Sequence, residues 1–214
     1  IFFKSGSGWQ QQKKITNPNP AQNDYFGSAV AISGDYCVIG SPTKTIGSNA
    51  SQGKVYVYKR NGTDWVLDGS FTKTGGTAYE DFGWSVGITE QSSGTVLLSI
   101  GVPYSDVHIS DGGEVYCYKK SNGKWSFLQS IFPGDIGPSD YFGSSISMDE
   151  GYMVVGAPLQ DNATYSYADA GAAYVYVFGG GVWTLQQKLQ GTTAKAQFGL
   201  AVSISGSTIA IGAP

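Results

Sequence analysis

The 214-residue sequence predicts an all-β chain of repeated four-stranded antiparallel units, stacked radially as the blades of a propeller. Three recurring marks carry that prediction. A Phe-Gly pair occurs at Phe26-Gly27, Phe82-Gly83, Phe142-Gly143 and Phe198-Gly199, its Phe residues 56, 60 and 56 positions apart. A Gly-x-Pro follows each pair, at Gly40-Ser41-Pro42, Gly101-Val102-Pro103, Gly156-Ala157-Pro158 and Gly212-Ala213-Pro214. A tryptophan opens the last strand of a unit at Trp9, Trp65, Trp125 and Trp183. Marks that keep one order and one period define a repeat. A unit of this size has two sheet faces to bury, and it buries them only against neighbours.

Within a unit the pattern predicts strands A to D. Strand A spans Phe26 to Ser33, with Val30 and Ile32 apolar against small Ala29 and Ala31. Gly34-Asp35 is a two-residue hairpin signal, and strand B follows from Tyr36 to Gly40. Strand C, Gly53 to Lys59, places Val55 and Val57 on one face and Tyr56 and Tyr58 on the other. Strand D starts at Trp65, after the turn Asn61-Gly62. The third unit repeats the scheme with Ile146 to Gly156, Val175 to Phe178 and Trp183 to Leu189. Glycine in both motifs suits close backbone approach or positive φ between crowded blades, and the Phe and Trp read as wedges between them.

The phase predicts strands C and D of a preceding blade in residues 1–23, then blades at 24–79, 80–139 and 140–195, then strands A and B of a following blade in 196–214. The expectation is a fragment of a larger propeller ring. The alternative has the N-terminal C and D strands join the C-terminal A and B strands, closing a four-bladed ring.

Composition narrows the function. Only 14% of residues are charged, the net charge is −3, and Arg60 is the sole arginine. Nucleic acid is therefore excluded as a partner, because phosphate binding needs concentrated Lys and Arg. No apolar run approaches the ~18 residues of a membrane span. Three N-x-Ser/Thr sequons, at Asn49, Asn61 and Asn162, fall in turn segments, where glycans are carried. With the low charge they point to a secreted or cell-surface glycoprotein. Cys37 matches Met153 and Ile209 in strand B, and Cys117 matches Val57 and Val177 in strand C; both read as buried thiols, with a disulfide between them as the alternative.

These motifs resemble the FG-GAP repeat. The likeness runs over essentially the whole chain, most closely in Phe198-Gly199-Leu200-Ala201-Val202-Ser203-Ile204-Ser205-Gly206 and Ile211-Gly212-Ala213-Pro214. It implies a propeller similar to that of integrin α-subunit heads, so that the fragment would belong to a ring of roughly seven blades, and an extracellular role in adhesion or ligand binding, or as an accessory domain beside an enzyme. The integrin calcium loop is missing, since Ser33-Gly34-Asp35, Asp149-Glu150-Gly151 and Ser205-Gly206-Ser207 are too short to gather calcium ligands. The chain is thus similar to the shorter form of the repeat.

No enzyme chemistry is legible. His108 is the only histidine and sits in a polar loop, so neither a two-His metal site nor a convincing triad assembles. No cofactor is expected. Asp106, Asp111, Asp161 and Asp169 read either as weak calcium ligands in the B–C loops or as Asx-turn formers. Asp24, Glu80 and Asp140 recur two positions before the Phe. The expected function is an interaction, adhesion or assembly module presenting blade loops to a protein or glycan, with Tyr165 and Tyr167 as candidate contacts. Alternatives are a lectin-like propeller and a non-catalytic accessory domain of a larger secreted enzyme. Against a sugar site in every blade, Trp84 has Ser28, Ser144 and Leu200 as counterparts.

Overall fold

The computed structural model describes all residues from Ile1 to Pro214 and contains strands only. A two-stranded sheet, β1 (Phe2–Ser5) and β2 (Gly8–Gln11), comes first. Three four-stranded meanders follow. The first holds β3 (Val30–Ser33), β4 (Tyr36–Ser41), β5 (Lys54–Asn61) and β6 (Asp64–Phe71). The second holds β7 (Ser85–Glu90), β8 (Val96–Val102), β9 (Glu114–Ser121) and β10 (Lys124–Ile131). The third holds β11 (Ser145–Asp149), β12 (Tyr152–Ala157), β13 (Ala172–Gly179) and β14 (Val182–Gln190). A final hairpin pairs β15 (Val202–Ser205) with β16 (Thr208–Ile211). This is an open stretch of β-propeller: the first and last hairpins form separate two-stranded sheets. The closed four-bladed alternative is thereby overturned in this structure.

Two expected strand limits shift. Strand A begins at Val30 rather than Phe26, because Tyr25 and Gly27 have positive φ and break the ladder. The third C strand begins at Ala172, three residues before Val175. Register pairs Gly40 with Val55, Gly101 with Val115 and Gly156 with Ala173, so Cys117 corresponds to Val175 rather than Val177. A two-residue offset keeps every side chain on its face, which is why alternation alone did not reveal it.

The core lies between the sheets. Val38, Val55 and Val57 of the first meander pack with Val86, Leu98 and Ile100 of the second. Leu97, Val115 and Cys117 of the second pack with Phe142, Val155 and Tyr174 of the third. Tyr56 and Tyr58 face the other way, with Cys37, Ile39 and Trp65, as the alternation predicts. The first strands β3, β7, β11 and β15 lie side by side at the inner edge. There a large side chain from one sheet meets a small one on its neighbour: a Cβ on Gly87 would meet Ile146 at 2.8 Å.

The motifs explain this docking. The Phe-Gly glycine N–H donates to the Gly-x-Pro glycine carbonyl of its own sheet, as Gly83 does to Gly101 at 3.1 Å. The Gly-x-Pro glycine in turn lies against the Phe-Gly glycine of the next sheet. A Cβ on Gly101 would come within 2.0 Å of the Gly143 carbonyl oxygen, and one on Gly156 within 1.9 Å of the Gly199 oxygen. Ser85 and Ser145 donate their hydroxyls to those same carbonyls at 2.7 Å. The tryptophans are wedges too. Trp65 reaches Gln12 and Trp125 reaches Asp68 across sheet boundaries, while the Trp183 backbone exchanges two hydrogen bonds with the Gln129 amide. The outer strand of each four-stranded sheet carries a bulge at one repeat position, leaving Asp68, Leu128 and Gln186 outside the register. Trp9 is exposed.

Candidate functional site

In an antiparallel meander, the Phe-Gly turns, the B–C loops and the D–A connections all emerge at one end of the sheets. The A–B and C–D hairpins emerge at the other. The first of these faces carries the long loops, and the chain ties them down by a repeated ladder. Tyr79, Asp81 and Phe82 donate their N–H groups to the Ala50, Ser51 and Gln52 carbonyls of the preceding B–C loop. Ser139, Tyr141 and Phe142 do so to Ser110, Asp111 and Gly112, and Lys195, Gln197 and Phe198 to Ala168, Asp169 and Ala170. The alternating N–H directions require left-handed backbone, and the first two residues of each trio have positive φ. Non-glycine residues in that region cost about 1–3 kcal/mol each. The ladder and the buried Phe offset this strain.

Buried ion pairs stiffen the face. Asp24 accepts Lys44 Nζ at 2.7 Å, the Asn17 amide and the Ala21 N–H. Burial alone would raise the Asp24 pKa, but these donors outweigh it and hold the pKa below the ordinary value. Glu80 accepts Lys73 Nζ at 2.6 Å and the Thr77 N–H; Lys73 also meets Glu114 at 2.7 Å. The recurring acids are thus turn ties. Asp106 and Asp161 likewise accept the N–H groups of Asp111 and Asp169, closing their loops. No group of three or more His, Cys, Asp or Glu gathers to hold a metal ion.

Against this frame, aromatic side chains line up on the face. Trp84 meets Tyr104 edge to face with ring centres 5.4 Å apart, and Tyr104 meets Tyr141 at 5.2 Å. Trp84 is the wall between two hollows. One, of about 420 Å³, is lined by Tyr25, Ser28, Pro42 and Thr43. The other, of about 260 Å³, is lined by Tyr104, Tyr141, Leu159 and Leu200. Trp84 and Tyr25 are exposed. Asp81 lies beside the row with its Oδ1 buried and unbonded, and burial pushes its carboxyl up to about 6. Comparing one repeat position across units missed this cluster. Its members come from three different positions, flanking the Phe-Gly pair and following the Gly-x-Pro.

Other expected site residues fall elsewhere. Tyr165 and Tyr167 stack on each other, ring centres 5.7 Å apart, on the third B–C loop; they are 60% and 36% exposed and line neither hollow. Of the sequon asparagines, Asn61 is exposed at a C–D hairpin. Asn49 donates its amide to Gln52 and Gly76, and Asn162 is buried with its amide on the Gly191 carbonyl at 2.7 Å. His108 stacks on Phe132. Cys37 and Cys117 are free and belong to different inter-sheet clusters, so the disulfide alternative is not met. Burial raises their pKa values to about 11 and about 12.

The family model of the FG-GAP repeat matches residues 9–58 and 125–176. The chain carries FG-GAP repeats. Each matched stretch runs from a Trp-led outer strand into the first three strands of the next sheet, so the FG-GAP unit brackets a blade interface. The stretches between and after them keep the same Phe-Gly and Gly-x-Pro marks. FG-GAP repeats are generally protein-interaction modules, and such propeller domains are typically non-catalytic. No helix is long and apolar enough to cross a membrane. No curated protein matches the chain.

Proposed function

We propose that this FG-GAP chain is an extracellular or cell-surface interaction module that docks a protein partner on its loop face. The row Trp84, Tyr104 and Tyr141 with its flanking hollows is the observation that carries the reading. Aromatic side chains dominate binding energy at protein interfaces, and a face already held rigid loses little freedom on docking. The low charge and the exposed Asn61 sequon support the extracellular placement. Cross-linking and capture from the source organism's extracellular and surface fractions test it. Trp84→Ala with Tyr141→Ala is expected to reduce recovery of the captured protein at least tenfold. Undiminished recovery would move the contact elsewhere, with Tyr165 and Tyr167 next to be changed.

A single sugar site is the second reading, favoured by the exposed Trp84 beside a hollow. It differs from the one-site-per-blade lectin, because the other units carry Ser28, Ser144 and Leu200 at that position. Glycan-array binding abolished by Trp84→Ala, without a captured protein, would establish it.

A further inference from the structure

The acid two residues before the Phe-Gly pair is internally compared by the repeat. In the first unit Asp24 holds the buried ammonium of Lys44, four residues past the Gly-x-Pro glycine. In the second unit Glu80 holds the buried ammonium of Lys73, from the D–A connection. In the third unit both positions lose their cation: Gln160 stands where Lys44 does, and Pro133 where Lys73 does. Asp140 is nevertheless just as buried, at 6% exposure, the value for Asp24. Its Oδ2 accepts only the Gly137 N–H at 2.7 Å, and its Oδ1 accepts nothing.

Where the lysine is missing, the structure has a polar cavity of about 340 Å³, lined by Asp140, Gln160, Asp135, Asp161 and Lys188 among others. Lys188 does not replace the lost cation: its Nζ sits on Asp135 Oδ2 at 2.7 Å, and Tyr174 donates to the other Asp135 oxygen. Asp161 Oδ1 is taken by the Asp169 N–H. Asp140 is the buried carboxylate left without a cation partner; Asp161, which has none either, is exposed. Burial raises the Asp140 pKa and the Gly137 N–H opposes this; Asp161 adds to the rise, the charge of Lys188 nearby lowers it, and Asp135 adds to it again.

We propose that this cavity receives a primary ammonium group, the lysine side chain of the protein partner, on Asp140. The proposal rests on the reading of the loop face as a protein-docking surface and assigns it a second, polar contact. A metal ion suits the site less, because no three acidic, His or Cys groups gather there to hold one, and the carboxylates of Asp140 and Asp161 fall short of the six to eight oxygens calcium takes. An ammonium has three donors and repeats what the neighbouring units already do.

Thermal unfolding of the 214-residue chain tests this with three probes at matched ionic strength: Nα-acetyl-lysine methylamide, its norleucine counterpart, and calcium chloride. A ligand that binds only the folded state raises Tm. The lysine compound alone is expected to raise it, and the rise should vanish in Asp140→Asn. Gln160→Lys, which restores the Lys44 arrangement from within, should raise Tm by itself and abolish the response. A response to lysine with partner capture unaffected by the Trp84 and Tyr141 changes would leave this site standing and remove the aromatic row as the docking contact. The site is overturned by an equal response to norleucine, by a response surviving in both variants, or by a larger response to calcium.

Discussion

At the scale of single residues, the loop face is set by charges placed out of water. Lys73 lies between Glu80 and Glu114 with all three nearly fully buried. Replacing it by Met would leave two carboxylates uncompensated, a loss of about 3–5 kcal/mol that denaturant titration would measure. Asp81 works against stability. Its folded carboxyl keeps a proton to about pH 6, whereas the unfolded chain releases it near the ordinary value of 3.8. The folded state therefore binds more protons between these values, and stability falls as pH rises through that window. Asp81→Asn is expected to raise the urea midpoint at pH 7.5 and to bring no gain at pH 3.5. A gain of equal size at both pH values would show that its charge is not the cause. Both residues sit in the D–A connections, and the sequence showed that an acid recurs there. It did not show which acids find a cation, since the lysines arrive from positions that differ between units.

At the scale of elements, the Phe-Gly and Gly-x-Pro marks act as one docking device shared by two sheets. The backbones approach so closely that a methyl group on Gly156 would overlap the Gly199 carbonyl. Gly156→Ala is expected to cost about 1–3 kcal/mol or more, as overpacking does. Gly134→Ala, which meets nothing within 4 Å, should stay within about 0.5 kcal/mol of the parent. Paired melting curves would separate the two. The spacing of the motifs and the strand order were legible because turn glycines and alternating side chains are local signals. The bulge in the outer strand of each four-stranded sheet was not, because those strands are largely exposed and carry no strict alternation for an extra residue to interrupt. The start of β13 escaped for a related reason: Ala172 and Ala173 are small, and only pairing with Gly156 and Ala157 draws them into the sheet.

For the whole molecule, each blade depends on its neighbours, since the apolar clusters span sheet boundaries. Where no first strand lies against β3, Val30 and Ile32 are 66% and 57% exposed and line an apolar hollow of about 420 Å³ with Ile15, Phe26 and Ile39. Their counterparts Val86 and Ile88 are buried. An apolar sheet face of this kind beside an open edge favours association. The 214-residue chain by itself is expected to self-associate as its concentration rises, and Val30→Ser with Ile32→Ser to shift it towards monomer in sedimentation velocity. Unchanged sedimentation would show that this face is not the one that associates.

The repeat, its all-β character and its propeller class were determined by the sequence alone, because periodic glycine, proline and aromatic marks act through local backbone geometry and through a period that every unit obeys. The resemblance to FG-GAP repeats rested on the same marks. Only the tertiary structure decided which side chains share a site. Trp84, Tyr104 and Tyr141 come from different repeat positions, and Asp140 lacks a cation only by contrast with Asp24 and Glu80. Such groupings depend on how neighbouring blades dock, and docking is a property of pairs of units that no single unit encodes.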